Sequence, residues 1–170
     1  HPVGFQELAP GHNFMRHLPW RKRVAVEVTL PPRTSRAFTL GWVEGASCPS
    51  VRGAVSAARG ENTILNGKLR VTAKRGAEGL RILTSHGPLL AGTGLSAIIV
   101  EDPYGPWGGH YEEPASLNLN RVLERWKTVD HEVLAKGPLR ATLWCRLAGR
   151  RSHLDLHIHL ERGQRHVLVE

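Results

Sequence analysis

Alternation of apolar and polar residues is the dominant pattern along this chain. Between residues 21 and 30, valine and leucine occupy every second position, which is typical of a strand with one buried face. Residues 36–44 repeat the pattern with Phe38, Leu40 and Trp42. Only a short proline-containing turn separates the two segments, so we predict that they pair with each other as a small sheet.

Shorter alternating segments continue to the end of the chain. The Asn66-Gly67 dipeptide predicts a hairpin turn that leads into a strand over residues 69–73. Residues 122–126 fit either a strand or a helical turn. We predict the other strands at residues 64–65, 80–83, 95–100, 128–135, 139–147, 152–160 and 166–169. No helical period is sustained, and roughly nine short strands with turn signals between them indicate an all-β sandwich.

The segment from residue 45 to residue 60 divides the chain. It is rich in glycine, alanine and serine and has no sustained period, although a short strand fits around residues 51–55. We therefore predict a lead-in and small β subdomain over residues 1–60 and a β-sandwich domain over residues 61–170.

Composition supports this class and narrows the partners. The 18 glycines and 11 prolines are scattered, as expected between many short strands. The excess of 23 Lys and Arg over 15 Asp and Glu gives a formal charge of +8, but these residues are spread over nearly every segment without a nucleic-acid-binding motif. No apolar stretch approaches membrane-spanning length. We expect neither a nucleic-acid partner nor a membrane partner.

The segment over residues 101–111 carries the most chemistry. Its two prolines and three glycines exclude regular structure, yet it also holds Asp102, Tyr104 and Trp107. Aromatic rings stack on the apolar faces of sugars, and carboxylates accept hydrogen bonds from hydroxyls. A carbohydrate-facing loop is one interpretation, and aromatic capping of a sandwich core is the other. The nearby carboxylates all lie on this one loop, so they do not form the opposed pair that glycoside hydrolysis needs.

A second cluster consists of alternating polar residues near the end of the chain. His153, Asp155, His157 and His159 fall on one face of a predicted strand, and imidazole and carboxylate are both zinc ligands. Further ligands would come from His131 or His166. A solvent-facing strand face needs polar residues at the same positions without a metal. We expect no metal in this chain and name His157 and His159 as the residues that would bind one.

Nucleophilic catalysis has no support in the sequence. No Gly-x-Ser-x-Gly elbow and no phosphate-binding glycine loop is present. Cys48 and Cys145 have no metal-ligand spacing and cannot form a disulfide framework.

Three segments together resemble the C-terminal region of glycoside hydrolase family 38, the α-mannosidases. An apolar strand leads into the acidic, proline-containing loop that ends in Trp107-Gly108. Upstream, Asn66-Gly67 precedes a short alternating strand, and downstream a Gly-Pro pair precedes a strand with an early arginine, Arg140. The resemblance covers residues 62–170, and the small β layer matches residues 21–44. The family's polar pair before tryptophan is replaced here by Tyr104-Gly105-Pro106.

The resemblance implies a galactose-mutarotase-like (super)sandwich preceded by a small β subdomain, together a truncated part of a longer enzyme. The nucleophile and the zinc ligands of the family belong to a separate catalytic domain, so the resemblance implies no cofactor in this chain and no activity by the chain alone. It implies two partners, an α-mannoside and the catalytic domain of the same protein. Asp102, Tyr104 and Trp107 would approach the sugar as hydroxyl acceptor, edge donor and stacking platform. A stand-alone carbohydrate-binding β-sandwich is the alternative.

Overall fold

The computed structural model describes residues 5–8, 23–39, 41, 55–57, 62–92, 94–101 and 121–170. Within these ranges all regular structure is β, which confirms the predicted all-β class, and no helix is long and apolar enough to cross a membrane. The strands in chain order are β1 (Phe5–Leu8), β2 (Arg23–Val26), β3 (Ser56–Ala57), β4 (Thr63–Leu65), β5 (Leu69–Thr72), β6 (Arg81–Thr84), β7 (Gly87–Pro88), β8 (Ile98–Val100), β9 (Val122–Arg125), β10 (Lys127–Lys136), β11 (Arg140–Ala148), β12 (His153–Glu161) and β13 (Leu168–Val169).

Strands β3 to β7 form a five-stranded antiparallel sheet in which neighbours along the chain are neighbours in space. The predicted hairpin at Asn66-Gly67 is confirmed, because it connects β4 to β5. Gly67 has a φ of +80°, a conformation that glycine adopts without the steric cost of a side chain. Local turns therefore fix the order of this sheet.

Strands β10 to β13 form a second antiparallel sheet, again in chain order. The three long strands agree with the predicted segments to within one or two residues at each end. Two register shifts interrupt the β10–β11 ladder, one beside Val129 and one beside Leu134, and each leaves a partly exposed apolar side chain.

The two sheets enclose one hydrophobic core. Strictly alternating strands place every second side chain between the sheets, so the inner faces meet as in a sandwich. The buried members of this core are Val55, Ile64, Leu69, Val71, Ala73, Leu80, Ile82, Val133, Ala141, Leu143, Cys145, Ile158 and Leu160. Burying one large aliphatic side chain stabilises the fold by about 1.5–3 kcal/mol, so this shared core holds the two sheets together.

A separate two-stranded sheet is formed by β1 and β2, with Phe5 opposite Val26. The predicted pairing of residues 21–30 with residues 36–44 is therefore wrong. Residues 36–39 and 41 form no strand, and Leu40 and Trp42 lie outside the described residues. The apolar face of β2 is also more exposed than predicted, with Val26 57% exposed.

Gln6 on β1 attaches this small sheet to the end of the sandwich. Its Nε2 donates to the Arg140 carbonyl oxygen at 2.7 Å, and its Oε1 accepts from the backbone N–H groups of Leu139 at 2.8 Å and Arg140 at 2.7 Å. An ion pair between Glu27 and Arg162 adds a second link at the same end. These long-range bonds explain why β1, rather than the adjacent segment, is the partner of β2.

Asn66 joins the two sheets at the same end of the sandwich. Its Oδ1 accepts from the N–H groups of Lys68 at 3.1 Å and Leu69 at 2.8 Å, while its Nδ2 donates to the carbonyls of Glu161 at 2.8 Å and Gln164 at 3.0 Å. The buried amide thus has partners on both its oxygen and its nitrogen. It fixes the β4–β5 turn against the connection between β12 and β13.

Residues 55–57 belong to the sandwich although the sequence places them in the lead-in. Val55 is buried in the core, its N–H donates to the Pro138 carbonyl at 2.9 Å, and β3 pairs with β4. Gly137 has a φ of +92°, and a Cβ there would collide with the Val55 carbonyl oxygen. A glycine at this position lets the β10–β11 turn approach the β3 backbone.

Candidate functional site

The base of the aromatic, acidic loop is formed by β8 and β9, which pair antiparallel. The interpretation of residues 122–126 as a strand is thereby confirmed. Glu101 donates its backbone N–H to the Arg121 carbonyl at 2.9 Å, and its two carboxylate oxygens lie 3.0 and 3.2 Å from Arg121 Nη1. Both ends of the segment over residues 102–120 are therefore held side by side.

The three predicted sugar-contacting residues, Asp102, Tyr104 and Trp107, lie outside the described residues. Of the carboxylates considered for chemistry on this loop, Glu101 is the one that the structure describes, and it is paired with Arg121. The described part of the site is thus the anchor of the loop.

The alternating polar residues of β12 lie on one face, as predicted. Their cross-strand partners on β11 show which face this is: Asp155 lies opposite Arg146, His157 opposite Trp144, and His159 opposite Thr142. The intervening β11 residues are buried in the core, so the polar set lies on the outer face of the sheet.

Asp155 is committed to Arg146. The guanidinium donates through Nε to Oδ1 at 2.7 Å and through Nη2 to Oδ2 at 2.9 Å, a bidentate arrangement. This hydrogen bonding holds the pKa of the Asp155 carboxyl below its usual value, and the same pairing raises the pKa of Arg146. Both carboxylate oxygens already have a cationic partner, which leaves Asp155 poorly suited to bind a metal ion.

His159 is buried and has a specific partner. Its Nδ1 lies 2.9 Å from the Thr142 hydroxyl, and its Nε2 lies 3.5 Å from Glu170 Oε2, close enough for an ion pair when the ring is protonated. Burial lowers the pKa of His159 below its ordinary value, and the Arg140 guanidinium lowers it further against the opposing effect of Glu170. His159 is therefore placed as a neutral packing residue.

The further ligands considered for a metal are not brought to this face. His131 lies opposite Cys145, so its side chain is on the inner face, where its Nδ1 is buried without a hydrogen-bond partner among the described residues. His166 is exposed in the connection between β12 and β13. In the part of the chain that the structure describes, no three His, Cys, Asp or Glu side chains are grouped as metal ligands would be.

A row of three side chains across the outer face was missed by the sequence-based reasoning. Trp144 lies at the centre of this row and is half-buried. Glu132 lies opposite it on β10, and His157 lies opposite it on β12. The Arg146 guanidinium carbon lies 5.5 Å from the Trp144 ring centroid, within the range of a cation–π contact. An aromatic ring with an acid on one side and an imidazole on the other can stack on a sugar and bind its hydroxyls. Alternation on β10, β11 and β12 considered together would have revealed this row.

Cys145 is the cysteine that the structure describes, and its thiol is not reactive. Cys145 lies in the core, and its burial, followed by the nearby charge of Asp155, raises the pKa of the thiol to about 11. A thiol that keeps its proton is a poor nucleophile and a poor metal ligand. Cys48 lies outside the described residues.

Comparisons with protein-family models, curated proteins and solved structures give no match to this chain.

Proposed function

We propose that this chain is the non-catalytic β-sandwich portion of an α-mannosidase-like glycoside hydrolase, with a galactose-mutarotase-like sandwich. In this proposal it supports a separate catalytic domain and supplies one wall of the sugar pocket. The two-sheet antiparallel architecture agrees with that assignment, and the ordered sequence resemblance over residues 62–170 supplies the family.

The observation that carries the proposal is the anchoring of the loop on β8 and β9. A loop contributes to a binding pocket most effectively when a rigid scaffold positions it. The paired strands and the Glu101–Arg121 ion pair hold the two ends of the segment over residues 102–120 together. In the sequence, Asp102, Tyr104 and Trp107 come soon after Glu101. The proposal gives them the roles of hydroxyl acceptor, edge donor and stacking platform.

The proposal assigns the bond-breaking step to another domain. Glycosidases place two carboxyl groups on opposite sides of the scissile bond, about 5–10 Å apart. Among the described residues, Glu101 forms an ion pair with Arg121 and Asp155 forms one with Arg146, and the two carboxylates are not paired with each other across a pocket. Zinc and its ligands belong to the same separate catalytic domain in this proposal.

A stand-alone carbohydrate-binding sandwich is the second candidate, and the row Glu132–Trp144–His157 favours it. This row is part of the sandwich itself and needs no second domain to complete it. The two candidates therefore place the sugar on different tryptophans, Trp107 in the first and Trp144 in the second.

Activity and binding assays test both candidates. We expect the purified chain to release no aryl group from an aryl α-mannoside, with or without added zinc; turnover would contradict the non-catalytic assignment. We expect methyl α-mannoside to bind, as detected by saturation-transfer NMR, with methyl β-galactoside as the control sugar.

Trp107→Ala should weaken that binding about tenfold, because a lost stacking contact costs about 1 kcal/mol or slightly more. Trp144→Ala is the matched control and should leave binding unchanged. The reverse result would favour the stand-alone module, and the absence of binding in the wild-type chain would contradict both candidates. The hydrolase assignment further predicts a catalytic domain encoded in the same reading frame.

A further inference from the structure

Three connections between strands meet at the end of the sandwich that lies opposite the β4–β5 turn. Lys127, the first residue of β10, pairs with Ala148, the last residue of β11, so the β9–β10 junction and the β11–β12 turn are neighbours. The β5–β6 connection joins them. The Gly76 N–H donates to the Thr128 carbonyl oxygen at 2.7 Å, and the Thr128 N–H donates to the Ala77 carbonyl oxygen at 2.8 Å. Side chains from distant parts of the sequence therefore share this end.

The three connections carry a cluster of exposed cationic side chains, which we call the basic end. Its members are Lys74, Arg75, Arg125, Lys127, Arg150 and Arg151. In the part of the chain that the structure describes, no carboxylate forms an ion pair with any of them. Arginines at the other end of the sandwich differ, because Arg140 is paired with Glu161 and Arg162 with Glu27. The positive charge of the basic end is therefore free to act on a ligand.

Carboxylates are interspersed among these cations. Glu124 Oε1 accepts from the Arg150 backbone N–H at 2.5 Å, so this carboxylate is bonded to the main chain of the β11–β12 turn. Glu78 is half-buried in the β5–β6 connection, and Asp130 is exposed further along β10. A ligand that matches the basic end must therefore carry anionic groups for the cations and hydroxyl groups that can donate to carboxylate oxygens.

Nucleic acid matches this arrangement poorly. Duplex DNA carries one negative charge for about every 1.7 Å of its axis, so the interspersed carboxylates would repel it. Single strands bind through aromatic side chains on which their bases stack. The aromatic residue of this end, Trp126, is packed against Gly149 and its Nε1 is buried. A polysaccharide of acidic sugars carries hydroxyl groups beside each carboxylate and matches both kinds of charge.

We propose that the basic end binds an acidic polysaccharide, a chain of uronate sugars. Four of its six cations are arginines, and a guanidinium group can bind a carboxylate through two parallel hydrogen bonds. The interspersed carboxylates of the protein accept from the sugar hydroxyls. This surface uses none of the residues to which we assign α-mannoside binding, so it does not rest on that assignment.

Titration of the full chain with polygalacturonate, followed by calorimetry, tests the proposal. We expect binding that weakens about tenfold between about 50 mM and about 200 mM salt, because salt screens exposed charges. Arg150→Gln/Arg151→Gln should weaken binding about tenfold at the lower salt concentration, since two charged contacts are lost. Lys74→Gln/Arg75→Gln, on another connection, should weaken it as well.

Arg33→Gln/Arg36→Gln is the matched control. It removes the same charge from exposed positions in the segment after β2 and should weaken binding less than about twofold. Equal weakening by the control and by Arg150→Gln/Arg151→Gln would overturn the proposal, because net charge alone would then explain binding. The absence of polygalacturonate binding would also overturn it. Tighter binding of duplex DNA than of polygalacturonate at the same salt concentration would overturn it in favour of a nucleic-acid partner.

Discussion

His159 shows how the surroundings of one side chain set its charge. The imidazole contacts the Thr142 hydroxyl through Nδ1 and approaches Glu170 through Nε2, but it is buried and close to Arg140. Burial and the neighbouring guanidinium disfavour the protonated ring more than the single carboxylate favours it. His159, which the sequence analysis named as a candidate ligand while expecting no metal, is therefore explained by packing on β11 and β12.

The lowered pKa of His159 predicts a pH dependence of stability. The unfolded chain, in which the imidazole has its ordinary pKa of 6.5, binds a proton before the folded chain does. His159 should therefore make its full contribution to the free energy of unfolding above pH 6.5. That free energy should fall as the pH decreases below 6.5. Urea unfolding between pH 8 and pH 5 measures this slope.

The slope should be smaller in His159→Asn, which keeps a polar atom near Thr142 but does not titrate. His166→Gln, at an exposed position, is the matched control and should keep the wild-type slope. An identical pH dependence in His159→Asn and the wild-type chain would show that other groups dominate.

At the scale of elements, turns do more than reverse the chain. The β4–β5 turn is bonded through Asn66 to the connection after β12, so a local hairpin signal also joins the two sheets. Gln6 has the corresponding role for the small sheet at the β10–β11 turn. In both cases a buried amide satisfies backbone groups from a distant part of the chain.

Replacing Asn66 with alanine should destabilise the protein by about 2–4 kcal/mol. The change removes the buried side chain that pairs with the N–H groups of Lys68 and Leu69 and with the carbonyls of Glu161 and Gln164. Urea unfolding monitored by circular dichroism measures the loss. Lys68→Met is the matched control on the same turn. It removes an exposed bond to the Gly163 carbonyl and should cost less than about 1 kcal/mol. Equal losses in the two variants would contradict the role of Asn66.

The sequence was sufficient for strands that carry both an alternating pattern and a turn signal. β10, β11 and β12 were predictable because glycine-containing turns separate three alternating runs, and β5 because Asn66-Gly67 precedes it. The partner of β2 was not predictable, since the bonds that hold β1 come from residues more than 130 positions away along the chain. The Trp144 row was missed because its members lie on three strands, and no single strand shows it.

The described part of the molecule shares one hydrophobic core, and Cys145 lies within it. The thiol is inaccessible to solvent and keeps its proton well above neutral pH, with a pKa of about 11. Its reaction with a thiol reagent therefore requires the two sheets to separate. Cys145 can report on cooperative unfolding of the sandwich, because it lies on the central β11.

In a Cys48→Ser background, Cys145 should react with a dilute disulfide reagent at pH 8 only through the unfolded state, at a rate proportional to the unfolded population. The free energy obtained from the labelling rate should agree with that from urea denaturation, since both measure the same opening. The double variant with Cys145→Ala supplies the blank. Rapid labelling without denaturant would show that the sheets open locally around β11.

The bonds of Asn66 also affect the chemical lifetime of the protein. Asn-Gly sequences are the ones that most readily lose ammonia, because the glycine N–H can reach the side-chain carbonyl carbon in a flexible chain. Here the buried Asn66 side-chain amide is held by four hydrogen bonds, so this cyclisation should be slow while the sandwich is folded. Once the turn opens, the aspartate produced would direct a negative oxygen at two carbonyls, and the two sheets would no longer join at this turn. Ageing of the protein should therefore begin in its unfolded fraction and prevent that fraction from refolding.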